Sequence, residues 1–173
     1  PIKSDAYKFF GKGSIAGIPV PVIILIIVFL LAHYILTQTS YGRSVYAVGG
    51  NREAARLSGI RVKTSEFLVY TLNGLMCGMA GLILTARLGS AQSTSGTGIE
   101  MDAIAAVILG GTSLSGGVGF VLPTVVGAMI MGIIDNILTL MNVNPHATNI
   151  VKGAVILIAV LVDKKVKDLS AKA

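Results

Sequence analysis

Tryptophan is absent from this chain, and cysteine occurs once, at Cys77. A lone cysteine inside an apolar run excludes an intramolecular disulfide framework and most metal sites. It reads as a small packing hydrophobe. Histidine occurs twice, at His33 and His146, far apart in the chain. There is no nucleophile elbow and no metal-ligand cluster. The glycine-rich runs 110–113 and 116–119 lack the lysine before Ser/Thr that a phosphate-cradling loop requires. No catalytic group, cofactor or metal is therefore expected. Charge is also scarce, at 13% of residues against about 25% in ordinary soluble domains. With 53% of the 173 residues hydrophobic and a mean hydropathy of +0.80, too little polar surface remains to wrap a core. That composition belongs to a membrane protein. The net charge of +6 does not point to nucleic acid, because aromatics make up only 6% and the basic residues stand beside apolar runs. Such placement follows the positive-inside rule rather than a phosphate-binding face.

What the chain does have is a series of apolar segments. The first covers 20–36, with an uninterrupted centre from Val22 to Leu31 and with Pro19 and Pro21 at its start, where a missing N–H costs least. It approaches the ~17–25 residues a helix needs to cross a bilayer. Further membrane elements are expected at 67–86, 121–140 and 150–162. Gly74 and Gly78 in the second make a small-xxx-small pair that lets a neighbouring helix come close. The run 103–109 is too short to span alone and leads into the glycines Gly110, Gly111, Gly116, Gly117 and Gly119. A discontinuous helix over 103–119 is predicted, since irregular backbone survives at membrane depth where protein or a cavity satisfies it. The fold class is thus all-α and polytopic, with about five membrane elements, one of them short and broken. Residues 142–146 read as a turn. The chain opens on Pro1 with no cleavable signal before its first apolar run, so a preceding N-terminal part is expected.

Between the first two spans lies a polar loop, 38–66, with Arg43, Arg52, Arg56, Arg61 and Lys63 against Glu53 and Glu66. Inside it, Asn51-Arg52-Glu53-Ala54-Ala55-Arg56-Leu57-Ser58-Gly59 carries the signals of a short helix. Asn51 is a good N-cap, Glu53 sits in the first turn, and Gly59 stands where a C′ glycine ends a helix. At ~1.5 Å per residue the helix is about 10 Å long. It cannot span, and Ala54, Ala55 and Leu57 offer too little apolar area for strong lipid binding. A groove in a soluble partner is the better destination. The lysines Lys164, Lys165, Lys167 and Lys172 crowd the tail. Placing the 38–66 loop and the tail on the cytoplasmic side requires the broken element to cross. Lys3, Lys8 and Lys12 against Asp5 then fall outside, a mild conflict. Asp135 and Asn136 interrupt the 121–140 span, and a carboxylate at that depth should face a cavity or a partner. Asp135 and Asn136 are candidates for a translocation path, with a helix–helix salt bridge as the alternative for Asp135. Asn73 is a weaker candidate of the same kind. His33 reads as interfacial or packing.

Two stretches make a resemblance. Residues 41–60, Tyr41-Gly42-Arg43-Ser44-Val45-Tyr46-Ala47-Val48-Gly49-Gly50 followed by Asn51 to Ile60, closely resemble the cytoplasmic loop of ribose-type (monosaccharide) ABC-transporter permeases. Residues 100–119, from Glu100-Met101-Asp102 through Gly110-Gly111-Thr112-Ser113 to Gly116-Gly117-Val118-Gly119, resemble the second hallmark of that family. The resemblance covers nearly the whole chain and implies the C-terminal portion of such a permease, in the bacterial inner membrane. It further implies a second permease subunit, a cytoplasmic ATP-binding subunit docked on the 51–59 helix, and a periplasmic sugar-binding protein. Alternating access follows, with Gly110, Gly111, Gly116 and Gly117 at a flexible break near a gate. Rival readings are a branched-chain amino-acid permease of the same general build, a passive channel or secondary carrier, and, least supported, an intramembrane enzyme.

Overall fold

The computed structural model describes residues 5–15, 17–92 and 94–170, with the side chains of 5, 6, 8, 145, 146 and 162–170 left aside. Lys3 and Lys172 lie outside the described residues, as do the side chains of Lys8, His146, Lys164, Lys165 and Lys167. In chain order come α1 (Asp5–Lys12), a two-residue hairpin of β1 (Ser14–Ile15) and β2 (Ile18–Pro19), then α2 (Val20–Gln38), α3 (Ser40–Gly50), α4 (Arg52–Leu57), α5 (Val62–Leu88), α6 (Ile99–Leu109), α7 (Val121–Leu140) and α8 (Pro145–Ser170). The all-α expectation holds. The chain divides into two compact units, one ending at Thr97 and the other beginning at Gly98.

Among the described residues, three helices are long and apolar enough to cross a membrane: α2, α5 and α7. At ~1.5 Å per residue they measure about 28, 40 and 30 Å, against a hydrocarbon core of about 30 Å. Along α2 only Val20 is buried, while Leu25, Leu30 and Leu31 are more than half exposed. Such a helix has no reason to remain in water, and its sides call for lipid or for other helices. Threonines near the ends of these helices dispose of their hydroxyls locally, as Thr37 donates to the His33 carbonyl, Thr71 to that of Phe67 and Thr139 to that of Asp135.

In the first unit, α1 lies against the far end of α5. A Cβ on Gly11 would stand 2.3 Å from the Arg87 nitrogen, so only glycine allows this approach, and Ala86 beneath it is fully buried. The Tyr7 hydroxyl bonds to Thr85 Oγ1 at the same place. The 38–66 stretch is more ordered than a loop. Thr39 caps α3, its Oγ1 accepting from the Gly42 nitrogen at 3.2 Å. The helix that contains the 67–86 stretch, α5, starts at Val62.

In the second unit, α6 packs against both α7 and α8. Ala105, Ala106 and Met131 form its core, with Leu109, Ile134, Val155 and Ile156 around them. Small residues set the α6–α7 spacing: a Cβ on Gly110 would stand 2.5 Å from Thr124 Cα, and one on Gly127 would stand 2.1 Å from the Ala106 carbonyl oxygen. These contacts also show that α6 and α7 run antiparallel. The helix that contains the 150–162 stretch, α8, opens at Pro145, so the predicted turn shrinks.

Candidate functional site

The short polar helix forms where its caps demand. The Ala54 nitrogen donates to Asn51 Oδ1 at 3.0 Å, a bond from the third helical position to the N-cap. At the other end Gly59 has φ +83°, and the Gly59 and Ile60 nitrogens donate to the carbonyls of Arg56 and Ala55 at 3.0 and 3.1 Å. That paired set is a Schellman closure. Between these caps α4 has no freedom to lengthen. Ala55 is buried, at 4% exposure, and Leu57 is 86% exposed. Helical geometry, about 100° per residue, puts Glu53 and Leu57 together on the side opposite Ala55.

Arg52 holds α4 to α5. Its Nε and Nη2 reach Glu66 Oε1 and Oε2 at 2.9 and 3.0 Å, a bidentate pair. Both groups are exposed, so the pair fixes orientation and contributes only about 0.2–1 kcal/mol. Arg56, Arg61 and Lys63 form no ion pair among the described residues. Together with Arg52, Glu53 and Val62 they line a cleft of about 540 Å³. A second, apolar groove of about 440 Å³ lies between α2, α3 and α5, lined by Leu36, Tyr41, Val45, Val69, Leu72 and Met76 among others. The Tyr41 hydroxyl oxygen is out of solvent there, with no hydrogen-bond partner among the described residues, and burial pushes its phenol above the ordinary range.

The helix α6 ends at Leu109, and a glycine-rich segment without helix leads from there to α7. Gly110 caps α6, and Gly111, Gly116 and Gly117 all have positive φ, at +76°, +87° and +76°. The segment satisfies its own backbone: Thr112 N donates to the Val107 carbonyl at 3.1 Å, Ser113 N to that of Val118 at 2.9 Å, and Gly116 N to that of Ser113 at 3.1 Å. Ser113 itself is buried.

Asp135 does not interrupt α7, which runs through it unbroken. Its carboxylate accepts from Lys152 Nζ of α8 at 2.9 Å, and Asp102 of α6 accepts from the same ammonium at 2.6 Å. The salt-bridge alternative is therefore the one observed, and it joins three helices. Asp102 and Lys152 were missed. The signal existed, because a lysine three residues into an apolar span requires a partner. Asn136 and Asn73 are both exposed; Asn136 directly follows Asp135 on α7, and Asn73 lies along α5. Around Gly74 and Gly78 no atom of the described residues lies within 4 Å of where a Cβ would stand, so the helix they await is not supplied there. Cys77 is exposed rather than packed inside. His33, also exposed, stacks on Phe29 at 6.0 Å.

A protein-family model described as branched-chain amino acid transport system / permease component matches residues 2–160. The chain belongs to this permease family. Ribose import permease protein RbsC of Escherichia coli (strain K12) is 53% identical over 162 residues, which is 94% of this chain and 50% of that protein. The Bacillus subtilis (strain 168) ribose import permease is 49% identical, over 92% of this chain and 49% of its own. Xylose transport system permease protein XylH of Escherichia coli (strain K12) is 48% identical, over 87% and 38%. The permease chain thus spans about half the length of the ribose permeases it matches. No solved structure matches it. Family and apolar helices together make it a multi-pass protein of the bacterial inner membrane.

Proposed function

We propose that this permease chain is part of the membrane subunit of an ATP-driven, binding-protein-dependent importer of a monosaccharide, ribose first. The observation that carries the reading is α4: a helix six residues long, capped at both ends, clamped by Arg52 to Glu66, and presenting Glu53 and Leu57 outward. A helix so short and so fixed suits transmission of a push. The relatives' names supply the cargo, ribose for two of the three named above and xylose for the other. The partners in this reading are a second permease subunit, a cytoplasmic ATP-binding subunit seated on residues 51–59, and a periplasmic sugar-binding protein.

The permease itself needs no reactive side chain, because ATP is hydrolysed in the docked subunit. Closure of that subunit moves α4, and α4 carries α5 with it. The break at Gly110, Gly111, Gly116 and Gly117 gives the second unit a place to yield as the pathway switches its open side. Asn73 and Asn136 offer amide groups to a hydroxyl-rich substrate. The five-span arrangement, with the 38–66 segment and the tail in the cytoplasm, is part of the same proposal. It accords with the antiparallel run of α6 and α7, in which α6 leads inward and α7 leads back.

The test is uptake of labelled ribose by the complete importer carrying Glu53→Lys. The variant is expected to insert normally, to lose the ATP-binding subunit on purification, and to lose uptake; normal uptake would falsify the coupling role. A branched-chain amino-acid cargo has one observation in its favour: the Asp102–Lys152–Asp135 cluster presents both signs of charge, as a zwitterion would want. Labelled leucine in the same assay decides, since leucine uptake without ribose uptake would replace the sugar reading. Uptake persisting without the ATP-binding subunit would indicate a passive channel or carrier instead.

A further inference from the structure

We propose that the basic cleft between α4 and the start of α5 holds the phosphate of an anionic phospholipid from the cytoplasmic leaflet. The inference rests on the cytoplasmic placement of the 38–66 segment given above, but not on which sugar is carried. The faces of α4 divide its tasks. Glu53 and Leu57 form the outward tip, while Arg52 and Arg56, one turn apart, lie on a flank toward Arg61 and Lys63. A protein docked on the tip leaves that flank to something else. Arg52 is neutralised by Glu66, whereas Arg56, Arg61 and Lys63 are not paired among the described residues. Three unpaired cations against the single carboxylate of Glu53 make a cleft that favours an anion.

Depth selects the lipid as the source of that anion. Phe67 and Tyr70 on α5 are 69% and 76% exposed, the placement of aromatic side chains at a membrane interface. Lys63 stands one helical turn before Phe67, about 6 Å along the axis. The polar layer on each side of a bilayer is about 5–7 Å deep. Lys63 and Arg61 therefore lie at the level of the headgroups. The apolar groove continues along α5: Val62 lines the basic cleft, and Val69 and Met76, seven and fourteen residues on, line the apolar one. These positions fall on one side of the helix. A diacyl phosphate lipid thus meets cations at its head and apolar walls along its chains.

Native mass spectrometry of the intact membrane assembly, delipidated and then supplied with defined lipids, tests this. Phosphatidylglycerol should be retained in preference to phosphatidylcholine. Each cation near a membrane surface is worth about a five-fold change in anionic-lipid affinity, so Arg61→Gln with Lys63→Gln should lower phosphatidylglycerol retention about 25-fold. The same double variant should still co-purify with the ATP-binding subunit, and Glu53→Lys should do the reverse. The charge-conserving pair Arg61→Lys and Lys63→Arg should retain lipid. Equal retention of the two lipids overturns the proposal, as does loss of lipid in the charge-conserving pair. If the double glutamine variant keeps its lipid and sheds the ATP-binding subunit, the cleft belongs to a protein. If glycerol phosphate, which has no acyl chains, binds as tightly as the lipid, the cleft reads free phosphate. A failure of Glu53→Lys to release the ATP-binding subunit bears on the coupling role alone and leaves the lipid result standing.

Discussion

The α4 segment and the Asp102–Lys152–Asp135 cluster are both polar constructions in a mostly apolar chain, yet they are held in opposite ways. Everything that shapes α4 lies within ten residues: the Asn51 cap, the Gly59 closure and the buried Ala55. Its one longer tie, Arg52 to Glu66, is exposed. The cluster has no local basis at all. Its members come from three helices, 33 and 17 residues apart in the chain, and they meet only when α6, α7 and α8 pack. Polar groups in the bilayer are expensive alone and must find one another, whereas polar groups at the surface are free to face a partner. Damage to the cluster should therefore harm the fold, and damage to the α4 tip should harm only the work.

That contrast can be broken at several points. The largest effect is expected from Lys152→Met, which leaves Asp102 and Asp135 facing each other without their cation. The three side chains keep 14%, 25% and 35% exposure, so the loss should stay below the about 3–5 kcal/mol of a fully buried pair, read as loss of folded protein in a detergent melting experiment. Adding Asp102→Asn and Asp135→Asn to Lys152→Met should restore most of that loss. Failure of the triple variant to recover would show that the cluster is not what joins the three helices. Next comes Gly127→Ala, whose new Cβ would stand 2.1 Å from the Ala106 carbonyl oxygen. Pushing α7 off α6 should cost about 1–3 kcal/mol, visible as a lowered melting temperature. Asn51→Ala removes the α4 cap for about 1 kcal/mol; the expected outcome is faster amide exchange at Ala54 with the second unit unchanged. The smallest effect on stability belongs to Glu53→Lys, an exposed position, although uptake should vanish. A destabilised Glu53→Lys would erase the distinction between the two regions.

The same contrast explains what was legible in the sequence. Caps, a C′ glycine and long apolar runs are local signals, so α4, the limits of α7 and the break after α6 could all be read residue by residue. The helix α3 was passed over because its glycines and small polar residues obscure its pattern. Thr39 was nonetheless a readable cap, and Gly42 is buried where α2 turns into α3. The early start of α5 at Val62 was hidden by its charged first turn, since apolar content marks membrane depth rather than the helix itself. The start of α8 was signalled by Pro145 following Asn144 and went unused. Lys152 was counted as part of an apolar span, and its partners could not be assigned without knowing which helices pack together. Asp135 is salt-bridged because α6 and α8 bring Asp102 and Lys152 to it.

The clamp of Arg52 on Glu66 has a mechanical consequence for α5. Near one end of this rod sits Glu66, held by α4; near the other sits Thr85, held by Tyr7 of α1. The two grips are about 28 Å apart at ~1.5 Å per residue, and between them runs uninterrupted helix. In the proposed mechanism, any tilt given to the rod at Glu66 would arrive at Thr85 as a lateral swing, with α1 as the far hand on the same lever.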